Sequence, residues 1–158
     1  MSKSGAAQLI CVVLLFAFIG FSFFGETDTE KTADEIAAAV TENVSTEGLV
    51  SFDEERLSGQ FGISAEDFAS FVYYGSEDIM DVREILVLKC KEETDSEKAA
   101  ELIEKKAEEK YSTYKDYDPV ASSLLEKRAM QVKRGAIIYI VDENAAAGLE
   151  AFLRCVED

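Results

Sequence analysis

Residues 83–91 read Arg-Glu-Ile-Leu-Val-Leu-Lys-Cys-Lys, and no other stretch of the chain carries so clear a strand signal. Strict alternation sends Ile85, Val87 and Lys89 to one side, and Leu86, Leu88 and Cys90 to the other. Upstream, Phe68 to Tyr74 (FASFVYY) is rich in aromatics and ends at Gly75, which also reads as a strand. The connection between the two is too short for a crossover, so the pair is expected to be antiparallel.

Downstream, Thr94-x-x-Glu97 has the form of a capping box opening a long helix to about Tyr114. Ala99, Leu102, Ile103, Ala107, Tyr111 and Tyr114 recur at helical spacing and mark its buried stripe. Pro119, the single proline, begins a short helix through Leu124 and Leu125. Residues 129–133 and 136–141 flank Lys133-Arg134-Gly135, a hairpin with Gly135 in its turn. Asn144 is placed to cap a last helix whose Leu149, Phe152, Leu153 and Val156 face the core. Before the strands, Thr32-x-x-Glu35 opens another helix, with Ile36, Val40 and Val44 along one side. Between it and the first strand, Gly48, Gly59 and Gly62 punctuate an irregular stretch around Leu57 and Phe61. The expected fold is α+β: a four-stranded antiparallel sheet with helices packed on one face.

The chain begins differently. From Ala6 to Phe24 it reads AAQLICVVLLFAFIGFSFF, without a charge. As a helix rising about 1.5 Å per residue, this run approaches the roughly 30 Å of a bilayer's hydrocarbon core. Apolar residues all round suit lipid, not water. Gly20-Phe21-Ser22 has the small-x-small form of a cleavage site, but Phe23-Phe24 follows where polar residues should begin, so the expectation is an uncleaved signal anchor over residues 1–25. Residues 26–158 then form one acidic domain. Lys3 and the amino terminus favour a cytoplasmic start, which puts that domain outside the cytoplasm.

All 32 acidic residues follow Gly25, against 15 basic ones, so the domain carries about −17. No Lys/Arg cluster offers a phosphate-binding surface, which excludes nucleic acid as a partner. Histidine is absent, and with it the commonest general base and zinc ligand. Cys11 lies in the apolar run. Cys90 and Cys155 lack any metal-binding spacing and are either a disulfide pair or two buried thiols. No cofactor motif is present: Walker A, G-x-G-x-x-G and G-x-S-x-G are all missing. Ser112-x-x-Lys115 matches a nucleophile motif of penicillin-recognising enzymes, without its S-D-N and K-T-G companions.

Three stretches together carry a family resemblance. They are Phe61-Gly62-Ile63 with Glu66-Asp67 and Phe71 to Tyr74; Met80 to Lys89; and Tyr117-Asp118-Pro119 with Val132 to Gly135 and Ile138 to Val141. In this order and spacing they resemble the bacterial family known as domain of unknown function 4358. The resemblance implies a short Gram-positive envelope protein with an N-terminal lipoprotein signal or membrane segment, and it implies no activity. This chain departs from lipoprotein members in lacking a usable lipobox at Cys11. Lys105 and Lys106 stand near where members tend to show Arg.

Two functions from different classes are compatible with these residues. The first is a non-enzymatic interaction module at the cell membrane, binding an envelope protein or wall component. Its tentative binding surface is Tyr117 with Asp116 and Asp118, although Tyr111 and Tyr114 beside them also serve as core. The second is an envelope enzyme acting on a glycan through two carboxylates, which requires a cleft that brings them together.

Overall fold

The computed structural model describes residues 27–158. The expected membrane helix lies outside them, and among the described residues no helix is long and apolar enough to cross a membrane. In chain order the elements are α1 (Ala33–Thr41), β1 (Val50–Ser51), α2 (Glu54–Phe61), a 3-10 turn (Ala65–Asp67), β2 (Phe68–Gly75), β3 (Glu84–Cys90), α3 (Ser96–Tyr114), α4 (Pro119–Glu126), β4 (Ala129–Lys133), β5 (Ala136–Val141) and α5 (Ala145–Glu157).

The class is α+β as expected, with two corrections. The sheet has five strands, in the order β1-β2-β3-β5-β4, and every pairing is antiparallel. The additional strand, β1, is only two residues long and both are exposed. So short and solvated a strand has no alternation to read; only its pairing with Tyr74 and Gly75 defines it. The second correction concerns the layers, since helices cover both faces of the sheet and not one. On the inner face Tyr73, Leu86, Leu88, Ile137, Tyr139 and Val141 pack against α2, α3 and α4. On the outer face Ile85, Val87, Ile138 and Ile140 pack against α1 and α5. The reason lies in β3 and β5. All six residues of β5 are buried, as are six of seven in β3. A strand apolar on both sides loses roughly 1.5–3 kcal/mol for each large side chain left in water, so each face needs its own helical cover.

Local chemistry fixes the ends of the elements. Thr32 and Glu35 form the expected capping box, Glu35 N–H donating to Thr32 Oγ1 at 3.2 Å and Thr32 N–H to Glu35 Oε2 at 2.8 Å. At α3 the cap is Asp95, which accepts from Lys98 N–H at 3.0 Å, and not Thr94. Thr94 instead bonds Lys91 and Asp67, tying the β3–α3 loop to the 3-10 turn. Asn144 makes no side-chain cap bond, and Asp142 accepts from its N–H at 2.8 Å. The stretch read as irregular contains α2, capped by Asp53 and closed by Gly62 at φ 68°. Arg134 and Gly135, at φ 49° and 75°, form the hairpin turn between β4 and β5; two positive φ values match the right-handed twist of paired strands.

Cys90 packs on the inner face, while Cys155 lies on the outer one, so the sheet separates the two free thiols. Burial, above all, pushes the Cys90 thiol up to about 11. Its contribution to stability is therefore complete below the ordinary thiol value of 9.0 and is lost as pH rises through about 11. Chemical denaturation across this window should show a loss in the wild type that Cys90→Ala lacks; equal slopes would refute it.

Two helical glycines give a paired test of packing. A Cβ on Gly59 meets nothing within 4 Å, whereas one on Gly148 meets Ile140 Cδ1 at 2.6 Å and Val44 Cγ2 at 2.7 Å. Gly59→Ala should raise stability by about 0.5–1 kcal/mol. Gly148→Ala should lower it, because overpacking costs about 1–3 kcal/mol. Equal effects in urea unfolding would mean that α5 does not press on β5 as described.

Candidate functional site

At the end of the sheet where β2 stops and β3 starts, the inner face opens into a cleft of about 520 Å³. Its walls are α2, the C-terminal half of α3 and the loop of residues 76–83, and its floor is Tyr73, Glu84 and Tyr139. Three neighbours across the sheet, Gly75, Glu84 and Val141, bring these elements together in register.

Glu84 is the unusual residue. It shares the inner face of β3 with Leu86, Leu88 and Cys90 and is only 6% exposed. A buried carboxylate is tolerated only where it is paired and hydrogen-bonded. Both conditions hold at Oε1, which accepts from the Tyr73 hydroxyl at 2.7 Å and lies 3.3 Å from Lys110 Nζ. Burial first, and then the Glu84 charge, push the Tyr73 phenol far above its ordinary range, so it stays a donor. Tyr139 is fully buried, with burial again raising its phenol, and among the described residues its hydroxyl has no hydrogen-bond partner. Among the described residues the other buried side-chain polar atom in that position is Arg128 Nε.

The walls are held by specific contacts. Phe61 stands edge-on to both Tyr73 and Tyr139, with centroids at 5.4 and 5.8 Å, and Phe52 is edge-on to Tyr73 at 5.1 Å. The Arg56 guanidinium lies 4.5 Å above the Phe52 ring. Across the opening, Arg83 makes a forked pair with Asp81, Nε to Oδ1 at 2.9 Å and a terminal nitrogen to Oδ2 at 2.6 Å. Its other terminal nitrogen donates to the Glu47 carbonyl at 3.1 Å. The Arg83 hydrogen bond holds the Asp81 carboxyl below its usual value. The Tyr114 hydroxyl donates to the Ile79 carbonyl, pinning the loop to α3. With its backbone thus tied down, the loop turns Ile79 and Met80 outward, 80% and 56% exposed.

The residues singled out from sequence lie beside this cleft and do not line it. Tyr117 is 59% exposed, and its ring pairs with that of Tyr114 at 5.3 Å, one residue removed from the cleft wall. Asp116 is exposed. Asp118 caps α4, accepting from Ala121 N–H at 3.0 Å with Pro119 in the first turn. Ser112 and Lys115 both face solvent near the end of α3. Among the described residues no group of His, Cys, Asp or Glu side chains could hold a metal ion. Sequence reasoning missed Glu84, yet a signal existed: it is the one charged residue on a strand face that otherwise alternates Leu, Leu, Cys.

Two conservative substitutions separate the roles of the floor tyrosines. Tyr73→Phe removes the donor to a buried carboxylate and should destabilise by about 1–3 kcal/mol. Tyr139→Phe removes a buried hydroxyl without a partner and should be neutral or stabilising. Urea denaturation measures both, and a reversed order would show that Tyr139, not Tyr73, donates to the buried Glu84 carboxylate.

The family comparison meets this geometry directly. A family model described as "Domain of unknown function (DUF4358)" matches residues 42–142. The match takes in the whole sheet, α2, α3, α4 and every residue lining the cleft, whereas α1 and α5 fall outside it. No curated protein and no solved structure matches the chain. The chain belongs to the family described as a domain of unknown function (DUF4358).

Proposed function

We propose that this protein is a membrane-tethered, extracytoplasmic interaction module whose cleft receives a segment of another envelope protein. The observation that carries this reading is the floor: a buried carboxylate and a buried tyrosine hydroxyl without a partner among the described residues, at the base of one open cleft. Placing polar groups at depth costs stability, and sites that do so are commonly built for recognition. The tether is the apolar run of residues 6–24, and the orientation follows from Lys3.

Charge narrows the partner. A chain at −16 repels polyanions, which disfavours phosphate-rich wall polymers and favours a protein surface with basic residues. Within the cleft the signs are almost balanced, with Arg56, Arg83, Lys106 and Lys110 against Glu77, Asp78, Asp81, Glu84 and Glu109. Ile79 and Met80 at the lip offer apolar contact. A peptide segment bearing a basic residue beside an apolar one complements this combination better than a sugar does.

A carboxylate enzyme acting on a glycan is the second reading, favoured by the presence of five carboxylates around one cleft. Against it, Asp81 is tied to Arg83, Glu84 to Lys110 and Glu109 to Lys106. A glycosidase's acid needs the opposite setting, one that raises its pKa.

The test is photo-crosslinking in native membranes from a reactive residue at position 79, with position 117 as comparison. A discrete envelope-protein adduct from position 79, lost in Glu84→Gln, is the expected result. An adduct from position 117 alone would move the surface to Tyr117. An adduct indifferent to Glu84→Gln would end the cleft reading, and full-length protein in the cytosolic fraction would end the tether.

A further inference from the structure

The first described residues form a strap across the end of the sheet opposite the cleft. Thr29 N–H donates to the Arg134 carbonyl at 2.7 Å, and Lys89 Nζ to the Thr29 carbonyl at 2.6 Å. The Arg134 side chain closes the arrangement, with Nε on the Thr27 carbonyl at 2.8 Å and a terminal nitrogen on the Val156 carbonyl at 2.7 Å. Thr29 is 5% exposed, and the Asp28 carboxyl sits over Gly135, within 3 Å of where a Cβ would be. A few residues on, Ala33 N–H donates to Ser70 Oγ at 3.0 Å. The strap is therefore seated in the fold by the β4–β5 turn, the last residues of β3 and the end of α5.

Two lengths give the strap its meaning. The apolar run ends at Phe24, three residues before Thr27, and three residues span at most about 11 Å. The cleft floor, Glu84, begins β3, whereas the strap is held beside Lys89 and Cys90 at the strand's other end. At about 3.3 Å per residue, that strand separates the two by roughly 20 Å.

Resting on the tether proposed above, we infer that the strap orients the domain, holding the β4–β5 turn against the membrane surface and the cleft on the side away from it. The cleft's ligand is then a protein segment presented from the envelope side, and lipid headgroups do not reach it. Lys89 and Arg134 act here as positioning residues: Lys89 donates to the Thr29 carbonyl, and Arg134 to the carbonyls of Thr27 and Val156, which holds residues 27–29 against the end of the sheet. The β3–α3 loop, with Glu92 exposed beside the turn, faces the bilayer; Ile79, at the cleft lip, faces outward.

Because the chain contains no tryptophan, a single introduced indole reports position unambiguously. Full-length Ile79→Trp and Glu92→Trp proteins would be reconstituted into phosphatidylcholine vesicles, with and without lipid carrying a nitroxide on its headgroup. Flotation with the vesicles checks the tether, and indole quenching then reads orientation. Both proteins should float, with Glu92→Trp quenched several-fold more than Ile79→Trp. Adding Arg134→Ala and Lys89→Met should abolish that difference while flotation persists. Floating protein with equal quenching at both positions, or stronger quenching at position 79, overturns the orientation alone. A difference that survives loss of Arg134 and Lys89 overturns the role of the strap. Protein that does not float overturns the tether, and the orientation with it.

Discussion

The pairing of β3 with β5 is the constraint from which the rest of the architecture follows. Glu84 to Lys89 lie opposite Val141 to Ala136, and nearly every side chain of the two strands is buried. Backbone polar groups in this central pair are satisfied by the ladder, but the side chains on both faces need apolar cover. The two faces find it differently. α1 and α5, themselves in contact, cover the outer one; α2, α3 and α4 cover the inner one. The hairpin with its Arg134-Gly135 turn pairs β4 with β5, and β5 in turn lies between β4 and β3.

The cleft is the place where inner cover is incomplete. Residues of α2 and of the C-terminal half of α3 wall the cleft over the start of β3, where the inner-face sheet position holds Glu84 instead of an apolar residue. A carboxylate there cannot be left alone, and Tyr73 and Lys110 meet it from β2 and α3. The same site is rimmed by a loop pinned at its end by Arg83 to Glu47 and in its middle by Tyr114 to Ile79. A backbone tied down in this way holds the exposed Ile79 and Met80 side chains in place beside the cleft.

Part of the chain's acidity is structural. Asp53, Asp95 and Asp118 are helix N-caps, each accepting a backbone N–H, and Asp142 does similar work before α5. Carboxylates suit these positions because the free N–H groups and the dipole of a helix start favour negative charge. Arg128 is held between Glu104 and Glu108 of α3, linking that helix to β4. The acidic residues that remain give the surface its net negative charge.

Much of the molecule was determined by local patterns. Alternation gave β3, an aromatic run ending at Gly75 gave β2, two short runs flanking the Lys133-Arg134-Gly135 turn gave β4 and β5, helical spacing gave α1, α3 and α5, and Pro119 fixed a helix start. These features depend on residues within a few positions of one another, which is why they are legible in one dimension. The family, too, followed from the spacing of such stretches. Only the tertiary structure decided the rest. β1 exists because Gly75 and Tyr74 offer it an edge, and Asp95 displaces Thr94 as a cap because Thr94 is drawn to Asp67. The second helical layer was implicit in Ile85 and Val87 opposite Leu86 and Leu88, but which helices supply it depends on contacts far apart in sequence. The cleft is the extreme case. Tyr73, Glu84, Lys110 and Tyr139 come from four elements, and no local rule relates them; only the registers of three strands and the packing of one helix place them together.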